Sequence, residues 1–154
     1  IDRERVLASV PAEKDPDGFS YGNSSHACLS PVVGAIDEIS RTHSVDWKNK
    51  QVVILGNGLL VGKPATQYAQ QKGAIVTVLV KETFQASALK TADIIVSGIG
   101  QPHFITVDMV KEGVVVFDAG TSEDGGILMG DAAPDVSSIA SLVTPVPGGI
   151  GPIT

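Results

Sequence analysis

By type and spacing, the residues of this chain best placed to do chemistry are glycines. Gly56-Asn57-Gly58-Leu59-Leu60-Val61-Gly62-Lys63-Pro64 follows a short apolar run, Val52-Val53-Ile54-Leu55, and leads into a helical pattern. That order suits a diphosphate. The first glycine allows a tight turn, the second leaves room for a pyrophosphate against the backbone, and the third lets helix and strand pack closely. Free amides and the positive end of the helix dipole then face the anion. The spacing is G-x-G-x-x-x-G, one residue longer than the commonest dinucleotide fingerprint, and a glycine-rich turn that binds another ligand or nothing reads the same way in isolation. The strand before it, the helix after it and three further strand ends favour a dinucleotide. Gly56, Asn57, Gly58, Val61 and Gly62 are the candidate contacts.

Ligands on open α/β sheets sit at the carboxyl ends of the strands. The other strand ends here are Ser97-Gly98-Ile99-Gly100-Gln101-Pro102, Asp118-Ala119-Gly120-Thr121 and Thr144-Pro145-Val146-Pro147-Gly148-Gly149-Ile150-Gly151-Pro152. They are small residues and prolines, a close-approach lining suited to a flat ring such as nicotinamide, with almost no acid or base groups. Each alone is equally well a tight turn; three at one edge favour a ligand. The second strand runs into Val80-Lys81-Glu82-Thr83. In NAD-specific folds an acid at that tip holds the ribose 2′-OH. Lys81 instead offers a point charge to a 2′-phosphate, which leans towards NADP. Glu82, one residue on, would serve NAD, and both side chains also read as solvated loop charges.

Elsewhere the chemistry thins out. His26, His43 and His103 lie far apart without metal-ligand spacing, so no metal is expected. Cys28, the single cysteine, cannot form an internal disulfide and has no evident activating partner. Asp15 and Asp17 flank a proline before Gly18, as in a solvated turn. Asp118 and Asp131 lie near strand ends, where carboxylates close turns on backbone N–H groups.

The elements that must position these loops alternate. A short helix is expected over Arg3–Val10, then the turn Lys14-Asp15-Pro16-Asp17-Gly18, then loop over Ser20–Ser30. From Pro31, apolar residues at Val32, Val33, Ala35, Ile36 and Ile39 recur at helical spacing. Strands are expected at Val52–Leu55, Ile75–Val80, Asp93–Val96, Val114–Phe117 and Ser141–Val143, with a further short one at Ile127–Met129. Helices or helical turns are expected over 61–72, stopped by Gly73, over 84–90, over Val107–Lys111, closed by Gly113, and over 134–140. The fold class is α/β: a Rossmann-type, doubly wound, mostly parallel sheet with helices on both faces. Residues 1–30 read as the remnant of a preceding domain and 31–154 as the nucleotide-binding domain.

The totals agree with one globular unit. The chain has 154 residues, 43% hydrophobic and 18% charged, with a net charge of −6. That balance argues against nucleic acid or an anionic membrane surface as partner. No apolar run is long enough to span a bilayer, and a reducing cytoplasm suits the lone thiol. The start at Ile1 and the stop at Thr154, after a Gly/Pro-rich loop, suggest a piece of something longer.

Taken together, these residues resemble one family. Thr144-Pro145-Val146-Pro147-Gly148-Gly149-Ile150-Gly151-Pro152-Ile153-Thr154 resembles the C-terminal hallmark of methylenetetrahydrofolate dehydrogenase/cyclohydrolases. Four more segments match in the family's order: Lys14-Asp15-Pro16-Asp17-Gly18-Phe19 with Asn23, then Val61-Gly62-Lys63-Pro64, then Ala92-Asp93-Ile94-Ile95 with Gly100-Gln101-Pro102, then Gly130-Asp131. The resemblance implies a bifunctional enzyme that oxidises 5,10-methylenetetrahydrofolate with NADP, or NAD in some members, and hydrolyses the methenyl product to 10-formyltetrahydrofolate. It implies a homodimer, with folate in a cleft between an N-terminal catalytic domain and this one. It implies that Pro147, Gly148, Gly149 and Ile150 border substrate and nicotinamide and that Asp17 faces the pterin. The family's catalytic Tyr-x-x-x-Lys segment precedes the Asp15/Asp17 motif and is not in this sequence. Tyr68 and Lys72 share its spacing but fall out of order, so no catalytic residue is expected within this chain. Gly56-Asn57-Gly58 replaces the usual Gly-Arg-Ser, and Val80-Lys81 the usual His-Ser. Those changes leave open an alternative: a non-catalytic nucleotide-binding module with weakened dinucleotide affinity.

Overall fold

The computed structural model describes residues 2–19 and 28–154. His26, Asn23 and most of the expected loop Ser20–Ser30 lie outside the described residues. Seven strands are present among the described residues: β1 (Gln51–Leu55), β2 (Ile75–Leu79), β3 (Ile94–Ser97), β4 (Val115–Asp118), β5 (Ser122–Asp124), β6 (Ile127–Met129) and β7 (Leu142–Val143). The α-helices are α1 (Arg3–Ala8), α2 (Pro31–Thr42), α3 (Gly62–Gln71) and α4 (Ala86–Thr91).

Five strands form one sheet in the order β2-β1-β3-β4-β7, every neighbouring pair parallel. Strands with apolar residues at consecutive positions are buried on both faces, and their side chains alternate between the two. Val52, Ile54, Ile94, Val96 and Phe117 meet α2 and α3 on one face. Val53, Leu55, Ile95 and Val116 meet Leu89 of α4, Val110 and Val136 on the other. The aromatic centre of the first face is Trp47, stacked on Phe117 with ring centroids 5.7 Å apart and edge-on to Tyr68 at 5.2 Å. Its indole N–H donates to Ser40 Oγ at 3.1 Å.

The chain leaves β1 through α3 to β2 on one side, then returns through α4 to β3 on the other. The strand order therefore reverses between β1 and β3, and a crevice opens outside their carboxyl ends. α3 stops where expected: Gly73 has φ +80, the left-handed conformation that glycine adopts without penalty.

Two expectations change in detail. Val107–Lys111 holds only a single 3-10 turn, Val107–Met109, rather than a short α-helix, while the helical turn expected over 134–140 is present as the 3-10 turn Pro134–Ser138. Ile127–Met129 is a strand, but its antiparallel partner Ser122–Asp124 was not expected. Gly125 and Gly126, at φ +58 and +83, make the turn between them, as a two-residue hairpin loop demands. The polar run Ser-Glu-Asp carries no alternation to announce a strand.

Candidate functional site

All five parallel strands end at the same edge, so the loops after β1, β3, β4 and β7 stand in a row. The loop after β1 is held by its own glycines. A Cβ at Gly62 would lie 2.2 Å from the carbonyl oxygen of Gly56, so the first turn of α3 sits directly on the strand end. Gly56 has φ +91, and a Cβ there would come within 3.2 Å of the Ile99 side chain. Around Gly58, by contrast, a Cβ would meet nothing within 4 Å. The middle of the loop, with exposed Asn57 and Gly58, is open. Val61 packs on Gly98, whose absent Cβ would fall 2.7 Å from it, which ties the β1 loop to the β3 loop.

Two cavities flank this row. One, of about 370 Å3, lies over the ends of β1, β2 and β3 and is lined by Gly56, Val80, Lys81, Gly98, Ile99, Gln101 and the edge-to-face pair Phe84 and Phe104. Lys81 opens the 3-10 turn Lys81–Thr83 and is exposed; Glu82 is exposed and does not line the cavity. The second, of about 410 Å3, lies over β4 and β7. Its walls include Asp118, Gly120, Thr121, Leu128, the turn Pro147-Gly148-Gly149-Ile150 and Val32 from the first turn of α2. In that turn the Val146–Pro147 peptide is cis, and Gly148 has φ +103. The Gly149 N–H donates to the Pro145 carbonyl at 2.8 Å. Ile150 also anchors the turn, being buried in the core beside α2.

Beneath the loops lie two carboxylates. Asp131 is fully buried and accepts from Ser97 Oγ at 2.6 Å, Ile99 N–H at 3.0 Å and Gln101 N–H at 2.7 Å. Asp118 accepts from Gly120 N–H at 2.9 Å and Ala132 N–H at 2.8 Å. Burial pushes the Asp118 carboxyl above the ordinary carboxylate value, and the neighbouring Asp131 adds to the rise, while the backbone N–H groups oppose it. Both acids close turns on backbone N–H groups, as expected from their positions.

The remaining candidates sit away from this edge or at its margin. Asp17 is exposed, in a turn packed on the start of α2: a Cβ at Gly18 would lie 2.6 Å from the Ser30 nitrogen. Because Val32 of α2 borders the second cavity, the Asp15–Gly18 turn approaches that cavity through α2. Cys28 Sγ donates to the Asp15 carbonyl at 3.2 Å. His103 is exposed, and among the described residues no three His, Cys, Asp or Glu groups are placed to hold a metal. Tyr68 and Lys72 serve α2: the Tyr68 hydroxyl donates to Asp37 at 2.7 Å, and the Lys72 ammonium pairs with it at 3.0 Å. These two hydrogen bonds, the Tyr68 hydroxyl's first, hold the Asp37 carboxyl below its ordinary value. Sequence reasoning missed Phe84 and Phe104 as cavity walls; the two aromatics are 20 positions apart, with no periodic signal to join them.

A doubly wound parallel sheet, a glycine loop at its switch point and backbone-lined cavities along its carboxyl edge define a dinucleotide-binding domain of the Rossmann type. The profile described as "Tetrahydrofolate dehydrogenase/cyclohydrolase, NAD(P)-binding domain" matches residues 30–154. The chain is 44% identical to the bifunctional protein FolD of Streptococcus gordonii and 42% identical to that of Streptococcus equi subsp. zooepidemicus, with all of this chain and 57% of each relative covered. It superposes on the crystal structure of the bifunctional enzyme FolD, a methylenetetrahydrofolate dehydrogenase/cyclohydrolase, from Campylobacter jejuni. The TM-score is 0.90 at 32% identity, covering 98% of this chain and 57% of that one. The Trypanosoma brucei FolD structure, complexed with NADP cofactor and inhibitor, gives 0.84 at 32% identity, covering 99% and 58%. This chain therefore belongs to the tetrahydrofolate dehydrogenase/cyclohydrolase family, as its NAD(P)-binding domain. It spans a little over half the length of the relatives it matches. No helix among the described residues is long and apolar enough to cross a membrane.

Proposed function

We propose that this chain binds NADP for a bifunctional 5,10-methylenetetrahydrofolate dehydrogenase/5,10-methenyltetrahydrofolate cyclohydrolase of the cytoplasm. Residues 31–154 form the nucleotide domain, and residues 1–30 belong to the preceding catalytic domain. The observation that carries this is the open backbone around Gly58, in the loop that leaves β1 at the switch point, on the sheet edge that bears both cavities. The residues fit the cofactor. The β1-loop amides, at the positive end of α3, take the diphosphate. The 370 Å3 cavity takes the adenosine, with Lys81 at its rim for a 2′-phosphate. Ser97, Gly98, Ile99, Gly100 and Gly120 supply close-approach backbone between the cavities. Pro147, Gly148, Gly149 and Ile150 border the ring and the folate, and Asp17 faces the pterin.

Bound NADP would supply the redox chemistry. The chain's own residues bind it, orient it and screen it from water, which is a positioning contribution. The folate, an N-terminal domain carrying the proton-transfer groups, and a second copy in a homodimer complete the enzyme in this reading. Titration of the 154-residue chain with NADP, NAD and adenosine nucleotides tests it. The expected result is saturable NADP binding, tighter than NAD, with no methenyltetrahydrofolate hydrolysis. Failure of every nucleotide to bind refutes it in favour of a non-catalytic module, and robust hydrolysis refutes the absence of catalytic groups.

A further inference from the structure

Asp131 lies on neither the glycine loop nor a cavity wall, yet it touches the structures that make both cavities. One carboxylate oxygen accepts from Ser97 Oγ and Ile99 N–H, and the other from Gln101 N–H. Ile99 and Gln101 form one wall of the 370 Å3 cavity, and the Ile99 side chain reaches to the Gly56 backbone. The same carboxylate fills the place of a side chain at Gly120, where a Cβ would stand 2.1 Å from its carbon. Gly120 is in the wall of the 410 Å3 cavity. Asp118 reciprocates, with an oxygen 2.2 Å from where a Cβ of Gly130 would be. The base of the β5–β6 hairpin is fastened to the same loop: Ser122 Oγ donates to the Gly100 carbonyl at 2.8 Å, and His103 N–H to the Gly130 carbonyl at 3.0 Å.

We infer that Asp131 is a positioning residue for the dinucleotide: its buried carboxylate sets the Ser97–Gln101 loop against both the adenosine and the ring cavities. A dinucleotide spans both, so its affinity depends on their relative placement. The inference rests on the function proposed above. Three hydrogen bonds to one carboxyl group wholly removed from water leave the loop little freedom. An asparagine keeps one acceptor oxygen and turns an N–H2 towards a backbone or hydroxyl donor, so at least one of the three bonds is lost. An alanine loses all three.

The test is isothermal titration of NADP and NAD into the wild-type chain, Asp131→Asn and Asp131→Ala. It is run cold, where circular dichroism shows each variant folded, alongside amide hydrogen exchange at Ile99 and Gln101. The expected result is graded: about 10-fold weaker binding for Asn and about 100-fold or more for Ala, from one and then several lost buried hydrogen bonds. Both dinucleotides weaken equally, so the NADP/NAD ratio stays that of wild type, and protection at Ile99 and Gln101 falls. A purely structural role would lower the melting temperature and leave the affinity of the folded variants at the wild-type value; that outcome overturns the inference while the binding function stands. If the wild-type chain binds neither dinucleotide, the function falls, and the positioning role falls with it.

Discussion

Two glycines four residues apart, Gly58 and Gly62, should answer the same substitution in opposite ways. An alanine at 62 puts a methyl 2.2 Å from the Gly56 carbonyl oxygen and 2.8 Å from Asn57 Cα. Real Cβ contacts stay beyond 3.0 Å, and both neighbours are backbone, so the start of α3 has to move by at least 0.8 Å, the difference between 2.2 and 3.0 Å. Overpacking of this kind costs roughly 1–3 kcal/mol, and a backbone obstacle places it at about the upper value. In a chain of this length that lowers the melting temperature by about 6–12 °C. An alanine at 58 meets nothing within 4 Å, and the residue is not in the left-handed region. The loss of chain entropy in the unfolded state then stabilises the fold by about 0.4–1 kcal/mol. The same methyl projects into the space assigned to the diphosphate, so Gly58→Ala should bind NADP about 10-fold or more weakly, from displaced charge-assisted hydrogen bonds. Thermal melts and NADP titrations on both variants make the assay. An unchanged melting temperature for Gly62→Ala, or wild-type affinity for Gly58→Ala, would refute the division of labour within the loop.

Lys81→Ala should weaken NADP binding about 10-fold and leave NAD within about twofold, because a single point charge separates the two cofactors; equal losses on titration would remove Lys81 from 2′-phosphate recognition. Lys111→Ala should cost about 0.5–1 kcal/mol near neutral pH, since its 2.6 Å pair with Asp93 is partly exposed. The hydrogen bond from Lys111 holds the Asp93 carboxyl below its ordinary 3.8, with the Gln51 N–H assisting. A carboxyl depressed by folding contributes stability above its ordinary value and loses it as pH falls through the folded value. The gap between wild type and Lys111→Ala in urea melts should therefore be full near pH 6, by that linkage, and close below 3.8. Asp118, raised by burial, works in the reverse sense, its contribution to stability falling as pH rises from 3.8 through its folded value. Phe117→Ala removes a fully buried ring stacked on Trp47 and should cost about 3–5 kcal/mol; the fluorescence of Trp47, the only tryptophan, reports the change directly.

Much of the architecture was legible because it is local. Apolar runs such as Val52–Leu55 and Ile94–Val96 declare strands buried on both faces, Gly73 marks where α3 stops, and strands separated by helices force a parallel sheet. The glycine loops were legible for the same reason: a residue without a side chain is needed wherever backbones approach, and Gly62 and Gly98 do stand where a Cβ would collide. The Pro147–Gly149 turn carries its family in eleven consecutive residues.

The sequence by itself therefore determined the class of fold, the edge along which the glycine loops gather and the family. Tertiary structure alone decided how that edge is held. Ser122–Asp124 is a strand only because Ile127–Met129 folds back on it through two left-handed glycines. The Asp131 carboxylate reaches a loop more than thirty positions earlier, to Ser97 and Ile99, and Phe84 meets Phe104 across the end of the sheet. Such contacts leave no periodicity in the chain, since they arise from the order in which strands pair, and that order is settled by packing over the whole core.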